Sequence, residues 1–243
     1  MSGAHDRAPI AVALDAPDVE TAARWAQAVT PYVAVVKVGL ELFCRHGPEV
    51  VEVVRGGTRV ELFLDLKLHD IPATVAGAAR SVARLRPRYL TVHASGGAAM
   101  VAAAVDAAPD VTIAAVTVLT SLGDMDLDAV GLAGPPADAV RRLALLAVGA
   151  GARALVCSPH EVALVRSEVG PGITLITPGV RPAGAAAQDQ ARVATPQQAL
   201  DDGSDLLVIG RPITGAADPG AAAASIAATL RPGQALPGAA LTR

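Results

Sequence analysis

The chain has 243 residues and a formal net charge of −3 at pH 7, a balance that favours neither nucleic acid nor a membrane surface as a partner. Aromatic residues make up 2% of the sequence, which argues against a protein that stacks nucleobases on aromatic rings. Hydrophobic residues make up 52% of the sequence, which is enough for a sizeable core. Because so few of them are aromatic, the core must consist mainly of Ala, Val, Leu and Ile, as in a parallel sheet buried on both faces.

Eight short aliphatic runs alternate with helical stretches along the chain. The predicted strands are Ile10–Leu14, Val33–Val38, Val60–Leu64, Tyr89–Val92, Val111–Val118, Ala154–Val156, Ile173–Ile176 and Leu206–Ile209. The predicted helices are Val19–Val29, Leu40–Val54, Thr74–Leu85, Ala98–Ala107, Ala137–Val148, His160–Glu168, Pro196–Asp202 and Pro219–Leu230. A strand followed by a helix, repeated eight times, predicts the α/β class and a single (β/α)8 TIM barrel, a fold that commonly takes about 250 residues.

The domain organisation follows from the absence of an interdomain linker in the sequence. We predict one domain over residues 1–243, with a loose C-terminal tail from about residue 232. The segment Gly131–Pro136 is predicted to be a loop before the fifth main helix. The segment Thr177–Ala191 follows the seventh strand and is long, Gly-rich and polar at its end, which is typical of a lid over an active site.

The cellular location is predicted from the N-terminus and the cysteines. The first residues lack the charged-then-apolar order of a signal peptide, and Gly, Pro or charges interrupt every apolar run before the roughly 20 residues of a membrane span. We therefore expect a cytoplasmic protein. Cys44 and Cys157 make neither a disulfide framework nor a metal motif, and we expect both to be small buried residues.

The distribution of lysine indicates where the chemistry lies. The chain contains 18 Arg but two Lys, Lys37 and Lys67. In a barrel, residues just past the C-terminal ends of the strands face the active-site mouth. The residues at those positions are Asp15, Lys37, Asp65, Lys67, His93, Thr120, Ser121, Pro178, Gly210 and Arg211. These charges could be ordinary solvated loop residues, but both lysines fall in this small set, which favours a function for them.

The most informative segment is Phe63–Pro72, with the sequence FLDLKLHDIP. Asp65 and Lys67 are two residues apart, so on an extended strand they face the same side. A lysine flanked by carboxylates keeps its proton, which suits a proton donor and a stabiliser of negative charge better than a Schiff base. Asp70 is either a helix N-cap or a carboxylate aimed at the lysine, and spacing alone leaves both interpretations open.

The end of the eighth strand has the features of a phosphate site. Gly210 would let the backbone approach an oxyanion, and Arg211 would add a charge-assisted fork, at a place where barrels often bind phosphate. Arg181 and Gln190 of the strand-seven loop could close over the same group, although a solvated loop charge is the alternative for Arg181. His93 is either a catalytic base or a support for the lysine cluster, and we favour support. No spaced His/Cys motif predicts a metal site.

Several motifs together resemble one enzyme family. The motifs are Lys37-Val38-Gly39, Asp65-x-Lys67-x-x-Asp70-Ile71-Pro72, Thr91-Val92-His93-Ala94, Leu119-Thr120-Ser121, Thr177-Pro178-Gly179-Val180-Arg181, Asp189-Gln190-x-Arg192 and Gly210-Arg211-Pro212. Across nearly the whole chain the sequence resembles the orotidine 5′-phosphate decarboxylase family. The resemblance implies decarboxylation of orotidine 5′-monophosphate to UMP and CO2 in de novo pyrimidine biosynthesis, through a C6 carbanion that Lys67 stabilises and protonates.

The resemblance also implies a role for each matching residue. Lys37, Asp65, Lys67 and Asp70 would form an alternating charged catalytic network, and Asp15 and Lys37 would hold the ribose hydroxyls. Ser121 would bind the pyrimidine and help anchor the closing loop, and Pro178 would line the base pocket. The 5′-phosphate would be bound by Arg181, Gln190, Gly210 and Arg211. Asp70 and Thr74 would reach into the neighbouring subunit's site, which implies a homodimer. The family uses neither a metal nor an organic cofactor.

Two other functions remain open from the sequence. The related 3-keto-6-phosphogulonate decarboxylases share the barrel and the Asp-x-Lys-x-x-Asp motif but use Mg²⁺, with an acidic residue where this chain has Lys37. That lysine argues against a metal-dependent enzyme. A non-catalytic barrel that binds a phosphorylated ligand would account for Gly210 and Arg211, but it would have no use for clustered lysines and carboxylates.

Overall fold

The architecture is a closed barrel of eight parallel strands in sequential order, which confirms the predicted fold class. A computed structural model describes residues 7–58, 60–132, 134–182 and 194–230. The strands are β1 (Ala8–Ala13), β2 (Val33–Gly39), β3 (Glu61–Leu68), β4 (Tyr89–His93), β5 (Thr112–Val116), β6 (Ala154–Val156), β7 (Thr174–Pro178) and β8 (Leu206–Ile209). The predicted tail and residues 183–191 of the predicted lid lie outside the described residues.

Helices surround the barrel and follow the strands in the predicted order. They are α1 (Val19–Val29), α2 (Leu40–His46), α3 (Glu49–Arg55), α4 (Pro72–Ala83), α5 (Ala98–Ala107), α6 (Asp124–Ala129), α7 (Pro136–Gly149), α8 (Val162–Val169), α9 (Pro196–Asp201), α10 (Arg211–Thr214) and α11 (Pro219–Ala228). Short 3-10 helices precede α5, over Ala94–Gly96, and α8, over Pro159–Glu161. Within the described residues, no helix is long and apolar enough to cross a membrane.

Local sequence explains where several helices begin and end. The single helix predicted over 40–54 is wrong: Gly47 takes a positive φ of 65° and Pro48 follows it, so the chain breaks into α2 and α3. Asp18 caps α1 by accepting a hydrogen bond from the Thr21 amide at 2.7 Å. Helices α6 and α10 are too short to show a helical period and were not predicted.

The barrel interior is filled by one inward-facing residue from each strand. These eight residues are Ala11, Val35, Phe63, Tyr89, Ala114, Ala154, Ile176 and Leu206. The rings of Phe63 and Tyr89 pack edge to face, with centroids 5.8 Å apart. Alanines on three other strands leave room for these two rings in the barrel interior. The layer forms the floor of the barrel mouth, and we call it the floor layer.

A larger apolar layer lies between the outside of the barrel and the helices. Aliphatic residues that alternate with the floor layer along each strand, such as Val36 and Leu64, pack there against buried helix residues such as Leu42 and Val51. Cys157 is buried, as expected, and burial raises the pKa of its thiol. The same expectation was wrong for Cys44, which is exposed on α2.

Candidate active site

The candidate site begins one layer above the floor layer. Side chains two residues apart on a strand face the same side, so the residue two beyond each floor residue also points into the barrel. This next layer contains Ala13, Lys37, Asp65, Thr91, Val116, Val156, Pro178 and Val208. On the neighbouring strands β2 and β3, the inward-facing residues therefore change from apolar in the floor layer to charged in the next layer.

A cluster of four charged side chains occupies one side of this mouth. Lys67 Nζ lies 2.8 Å from both carboxylate oxygens of Asp65. Lys37 Nζ lies 3.3 Å from Asp65 Oδ2 and 3.5 Å from Asp15 Oδ1. The side chains of Lys37, Asp65 and Lys67 are 8%, 14% and 29% exposed, so this network is largely shielded from water. One carboxylate thus bridges both lysines of the chain.

The environment keeps the central carboxylate ionised. Burial by itself raises the pKa of Asp65, because a charge is poorly solvated there. The positive charges of Lys37 and Lys67, with hydrogen bonds from Lys67 and Thr91, outweigh burial and hold the pKa of Asp65 below its usual value. The ionised carboxylate of Asp65 therefore lies between the two lysine side chains of the cluster.

A glycine leaves room for the outer ion pair. A β-carbon placed on Gly39 would lie 2.9 Å from Asp15 Oδ1 and 3.1 Å from Lys37 Nζ. The φ of Gly39 is −95°, a backbone conformation that any residue can adopt. Space beside the ion pair, rather than backbone freedom, is therefore what this position provides.

The strand that carries Lys67 is irregular at that residue. Lys67 has a φ of +48°, which is unusual for a residue with a side chain. The β3–β4 register shifts between Leu64 and Leu68, so that residues 65–67 of β3 face the single residue Thr91 of β4. Asp65 and Lys67 do face the same side, as predicted, but the backbone that brings them together contains a bulge at Lys67.

The charge cluster lines a cavity of about 340 Å³ at the barrel mouth. The lining residues are Ala13, Asp15, Lys37, Asp65, Lys67, Pro178, Gly179, Val180, Arg181, Val208, Gly210, Arg211 and Pro212. A smaller and more apolar chamber of about 140 Å³ shares Asp65, Lys67, Pro178 and Val208 with it. Phe63, Leu119 and Cys157 are among the residues that complete this chamber. The site thus has a charged part and an adjoining apolar part.

Two arginines line the charged cavity. Arg181 is buried, and its Nε has no hydrogen-bond partner among the described residues. Its backbone amide donates to Ala194 O at 3.0 Å, and Val180 pairs with Ala194, so the base of the strand-seven loop is closed. Arg211 begins α10 and is exposed at the same cavity. A buried guanidinium with an unsatisfied donor indicates that an anion can bind here.

His93 lies beside the cluster at the end of β4. Its ring is 5.3 Å from that of His69, which precedes Asp70 in the loop before α4. Burial, His69 and Lys67 lower the pKa of His93, and Asp65 acts in the opposite direction. A neutral ring at this place adds no positive charge beside Lys67, which agrees with a supporting role.

A family model for the orotidine 5′-phosphate decarboxylase / HUMPS family matches residues 8–226. The chain belongs to this family. It is 74% identical over 224 residues to orotidine 5′-phosphate decarboxylase of Thermobifida fusca, covering 92% of this chain and 96% of that protein. It is 65% identical over 241 residues to the protein of the same name from Frankia casuarinae, and the match covers 92% of this chain and 88% of that protein.

A solved structure within the decarboxylase family has the same fold. The crystal structure of orotidine 5′-phosphate decarboxylase from Lactobacillus acidophilus matches with a TM-score of 0.79 and 36% sequence identity. The match covers 90% of this chain and 97% of that one. The barrel that carries the charge cluster is therefore shared with a structurally characterised decarboxylase.

The structure brings together most, but not all, of the site residues that the sequence predicts for this decarboxylase family. Those that line the charged cavity are Asp15, Lys37, Asp65, Lys67, Pro178, Arg181, Gly210 and Arg211. Ser121 is exposed in the turn after β5, while Leu119 and Thr120 of the same turn line the apolar chamber. Gln190 lies outside the described residues.

Asp70 and Thr74 are exposed around the start of α4 and do not line the cavity of their own chain. Neither interpretation of Asp70 from spacing holds within this chain. The N-cap of α4 is Ile71, and Asp70 Oδ1 instead accepts a hydrogen bond from the Ile71 amide at 2.6 Å. No contact between Asp70 and Lys67 occurs within the described residues of the chain. The carboxylate is thus available to another molecule at the surface.

Thr91 and the apolar residues of the smaller chamber other than Pro178 were not predicted as site residues from the sequence. Thr91 is fully buried, and its hydroxyl contacts both Asp65 and the backbone of Lys67. The period of two from the floor residue Tyr89 could have identified Thr91 as inward-facing. The same period could have identified Val116 and Val156, which line the apolar chamber.

Proposed function

We propose that this protein decarboxylates orotidine 5′-monophosphate to UMP and CO2 in de novo pyrimidine biosynthesis, and that Lys67 protonates the carbon that loses CO2. Relatives that share 74% and 65% of their aligned residues with this chain carry the name of that enzyme. The observation that supports the mechanism is the pair of 2.8 Å contacts between Lys67 Nζ and ionised Asp65 at a cavity.

Substrate binding divides between the two parts of the site. Arg181 and Arg211 would hold the 5′-phosphate, because the guanidinium fork suits phosphate and Arg181 has an unsatisfied buried donor. Asp15 and Lys37 would hold the ribose hydroxyls, and the pyrimidine would occupy the apolar chamber beside Pro178. The phosphate would be held away from the bond that breaks. The binding energy of the phosphate would therefore be available to close the site and exclude water.

The chemical step leaves an electron pair on the ring carbon C6. The C6–carboxylate bond breaks, CO2 departs, and the pair lies in the plane of the ring, where it cannot delocalise into the π system. The Lys67 ammonium stabilises this charge as it develops and then transfers a proton to C6, which gives UMP. The neutral amine regains its proton from solvent. Asp65 holds the Lys67 ammonium in place until the carbanion forms, and it disfavours the substrate carboxylate in the ground state.

We also propose that the active enzyme is a homodimer with shared sites. Asp70 and Thr74 are exposed, and Ile71 between them is 65% exposed, which is unusual for a large aliphatic side chain. In the dimer, Asp70 would complete the alternating charges next to Lys67 of the other subunit. A cytoplasmic location remains a prediction from the sequence.

Mixing two inactive variants tests the shared sites. Lys67→Ala and Asp70→Asn chains, unfolded together and refolded, should regain activity, because each hybrid dimer contains one site with both native residues. Random pairing makes half of the dimers hybrid, so about one quarter of the wild-type activity is expected. The same variants refolded separately are the control. A mixture that stays as inactive as its components would refute the shared site.

The magnesium-dependent alternative is disfavoured by Lys37. Its ammonium lies between Asp15 and Asp65, where a bound cation would be repelled. The assay that separates the functions follows loss of orotidine 5′-monophosphate absorbance and formation of UMP after treatment with a chelator. Full turnover without metal is expected. A requirement for Mg²⁺ would favour the phosphogulonate enzyme class, and binding without turnover would favour a non-catalytic barrel.

A further inference from the structure

We propose that Thr91 is a positioning residue that fixes Asp65 and the backbone of Lys67 in the arrangement the decarboxylation requires. This inference rests on the proposed function. The hydroxyl of Thr91 lies at the junction of the two residues: it donates to Asp65 Oδ1 at 2.9 Å and accepts from the Lys67 amide at 2.9 Å. Thr91 does not line the charged cavity, so it acts through its neighbours.

The direction of both hydrogen bonds is fixed by chemistry. A backbone amide can only donate, so Thr91 Oγ1 accepts from Lys67. An ionised carboxylate can only accept, so the single hydroxyl hydrogen of Thr91 is directed at Asp65. The three groups thus form a polarised chain from the amide of Lys67 through the hydroxyl to the carboxylate of Asp65. This chain stabilises the ionised carboxylate and fixes its orientation.

The bulge explains why a side chain is needed at this place. Residues 65–67 of β3 face Thr91 alone on β4, and Lys67 has a φ of +48°. A strained backbone conformation persists only where the surroundings hold it. The Thr91 hydroxyl bonds the amide of the strained residue itself, and Thr91 is 0% exposed, so water does not readily replace it. The hydrogen bond from the Lys67 amide to Thr91 therefore fixes the position of the Lys67 backbone, from which the Lys67 side chain extends.

Two lysines also hold Asp65, and the contribution of Thr91 differs in kind from theirs. Lys37 and Lys67 supply charge to the carboxylate, whereas Thr91 supplies a neutral donor from a third strand. His93, two residues further along β4, is a further titratable group near Asp65 and Lys67, with His69 beside it and Asp15 on the far side of Lys37. Without the hydroxyl, the carboxylate would keep both ion pairs but lose the contact that links its orientation to the backbone of Lys67.

The decisive comparison is between Thr91→Val and Thr91→Ser. Valine keeps the shape of threonine and removes both hydrogen bonds, whereas serine keeps the hydroxyl. We expect Thr91→Val to lower kcat by about 10- to 100-fold, the effect of one hydrogen bond to a charged group, with KM changed less than about threefold. Thr91→Ser should stay within about threefold of wild type, and both variants should bind UMP as the wild type does.

The pH profile separates positioning from a general structural effect. Loss of the hydrogen bond to the charged form raises the pKa of Asp65, so the acid limb of kcat/KM should move to higher pH in Thr91→Val and not in Thr91→Ser. Thr30→Val is the matched control, because Thr30 is also buried and bonds Ala26 O at 2.6 Å at the end of α1. Its kinetics and pH profile should be unchanged.

The outcomes distinguish this inference from the proposed function. If the wild type does not decarboxylate the nucleotide, the proposed function fails. If the wild type is active and Thr91→Val has a kcat within twofold of it, or Thr91→Ser is equally impaired, the positioning role fails. Should Thr91→Val not fold, Thr91→Ser and Thr91→Cys replace the pair, since they differ in hydroxyl and thiol at similar size. Equal kcat values for those two would overturn the proposal.

Discussion

Replacing Asp65 with asparagine should destabilise the protein, because Asp65 is the carboxylate that bridges both lysines. Asparagine keeps the size and shape of the side chain and removes its charge. Lys67 Nζ lies 2.8 Å and Lys37 Nζ 3.3 Å from the carboxylate oxygens. At an effective dielectric constant of about 20, each contact represents roughly 5–6 kcal/mol of attraction before desolvation is subtracted.

The net effect of Asp65→Asn is smaller than the two attractions. Removing one partner of a buried ion pair destabilises proteins by about 3–5 kcal/mol. The lower end applies here because the Lys67 side chain is 29% exposed and can turn towards water, and Lys37 keeps Asp15. We therefore expect the free energy of unfolding to fall by about 3 kcal/mol at pH 7, or about 6–12 °C in Tm for a chain of this size.

The pH dependence of this difference checks its electrostatic origin. The pKa of Asp65 is lowered in the folded protein, so its stabilisation is present above the pKa of the unfolded chain and is lost as pH falls through the folded pKa. Urea unfolding should thus give a constant difference between wild type and Asp65→Asn from pH 7 to 5, and a shrinking one below about pH 4. Equal stability at pH 7, or a gap that widens in acid, would refute this reasoning.

Three further substitutions test the other parts of the site. Lys67→Ala should lower kcat by at least about 100- to 1,000-fold while UMP binding, measured by calorimetry, is largely retained; substantial turnover would exclude Lys67 as proton donor. Arg211→Ala should lower kcat/KM by about 10- to 100-fold with an unchanged Tm, since Arg211 is exposed; unaltered kinetics would contradict the phosphate assignment. Gly39→Ala should displace Asp15 from Lys37 and raise KM about twofold to fivefold with little change in kcat, and a fall in kcat alone would disagree with a role in ribose binding.

The barrel could be predicted because its information is local and repeated. Alternation of aliphatic runs with helical stretches gave the order of all eight strands, and the bounds of Ala154–Val156 and Leu206–Ile209 agree with the structure. The helix predicted over 40–54 is wrong because Gly47, with its positive φ, and Pro48 end one helix and begin another. Barrel geometry then places strand ends together, and Lys37 and Lys67 could be assigned to one site from their positions alone.

What the sequence could not give is the geometry that depends on contacts between strands. The bulge at Lys67 arises from a register shift against β4, and no single-strand pattern shows a shift between two strands. Thr91 belongs to one of the family-like motifs, but its contacts with Asp65 and Lys67 become visible only when the two strands are paired. The partner of Asp70 could not be predicted either, because its side chain lies at the surface of its own chain.

The shared carboxylate constrains how the two lysines can differ in function. Lys37 lies in a regular ladder, paired with Ala13 and Phe63, and its ammonium is held by Asp15 and Asp65. Lys67 lies on the bulge, is more exposed, and has ion-pair contacts with Asp65 alone among the described residues. The amine with fewer partners and greater exposure is the one that can leave its carboxylate to meet a ring carbon. In the proposed mechanism, the two-partner amine would stay in place and keep Asp65 paired when Lys67 transfers its proton, so the different roles proposed for the two lysines would follow from the number of carboxylates that each contacts.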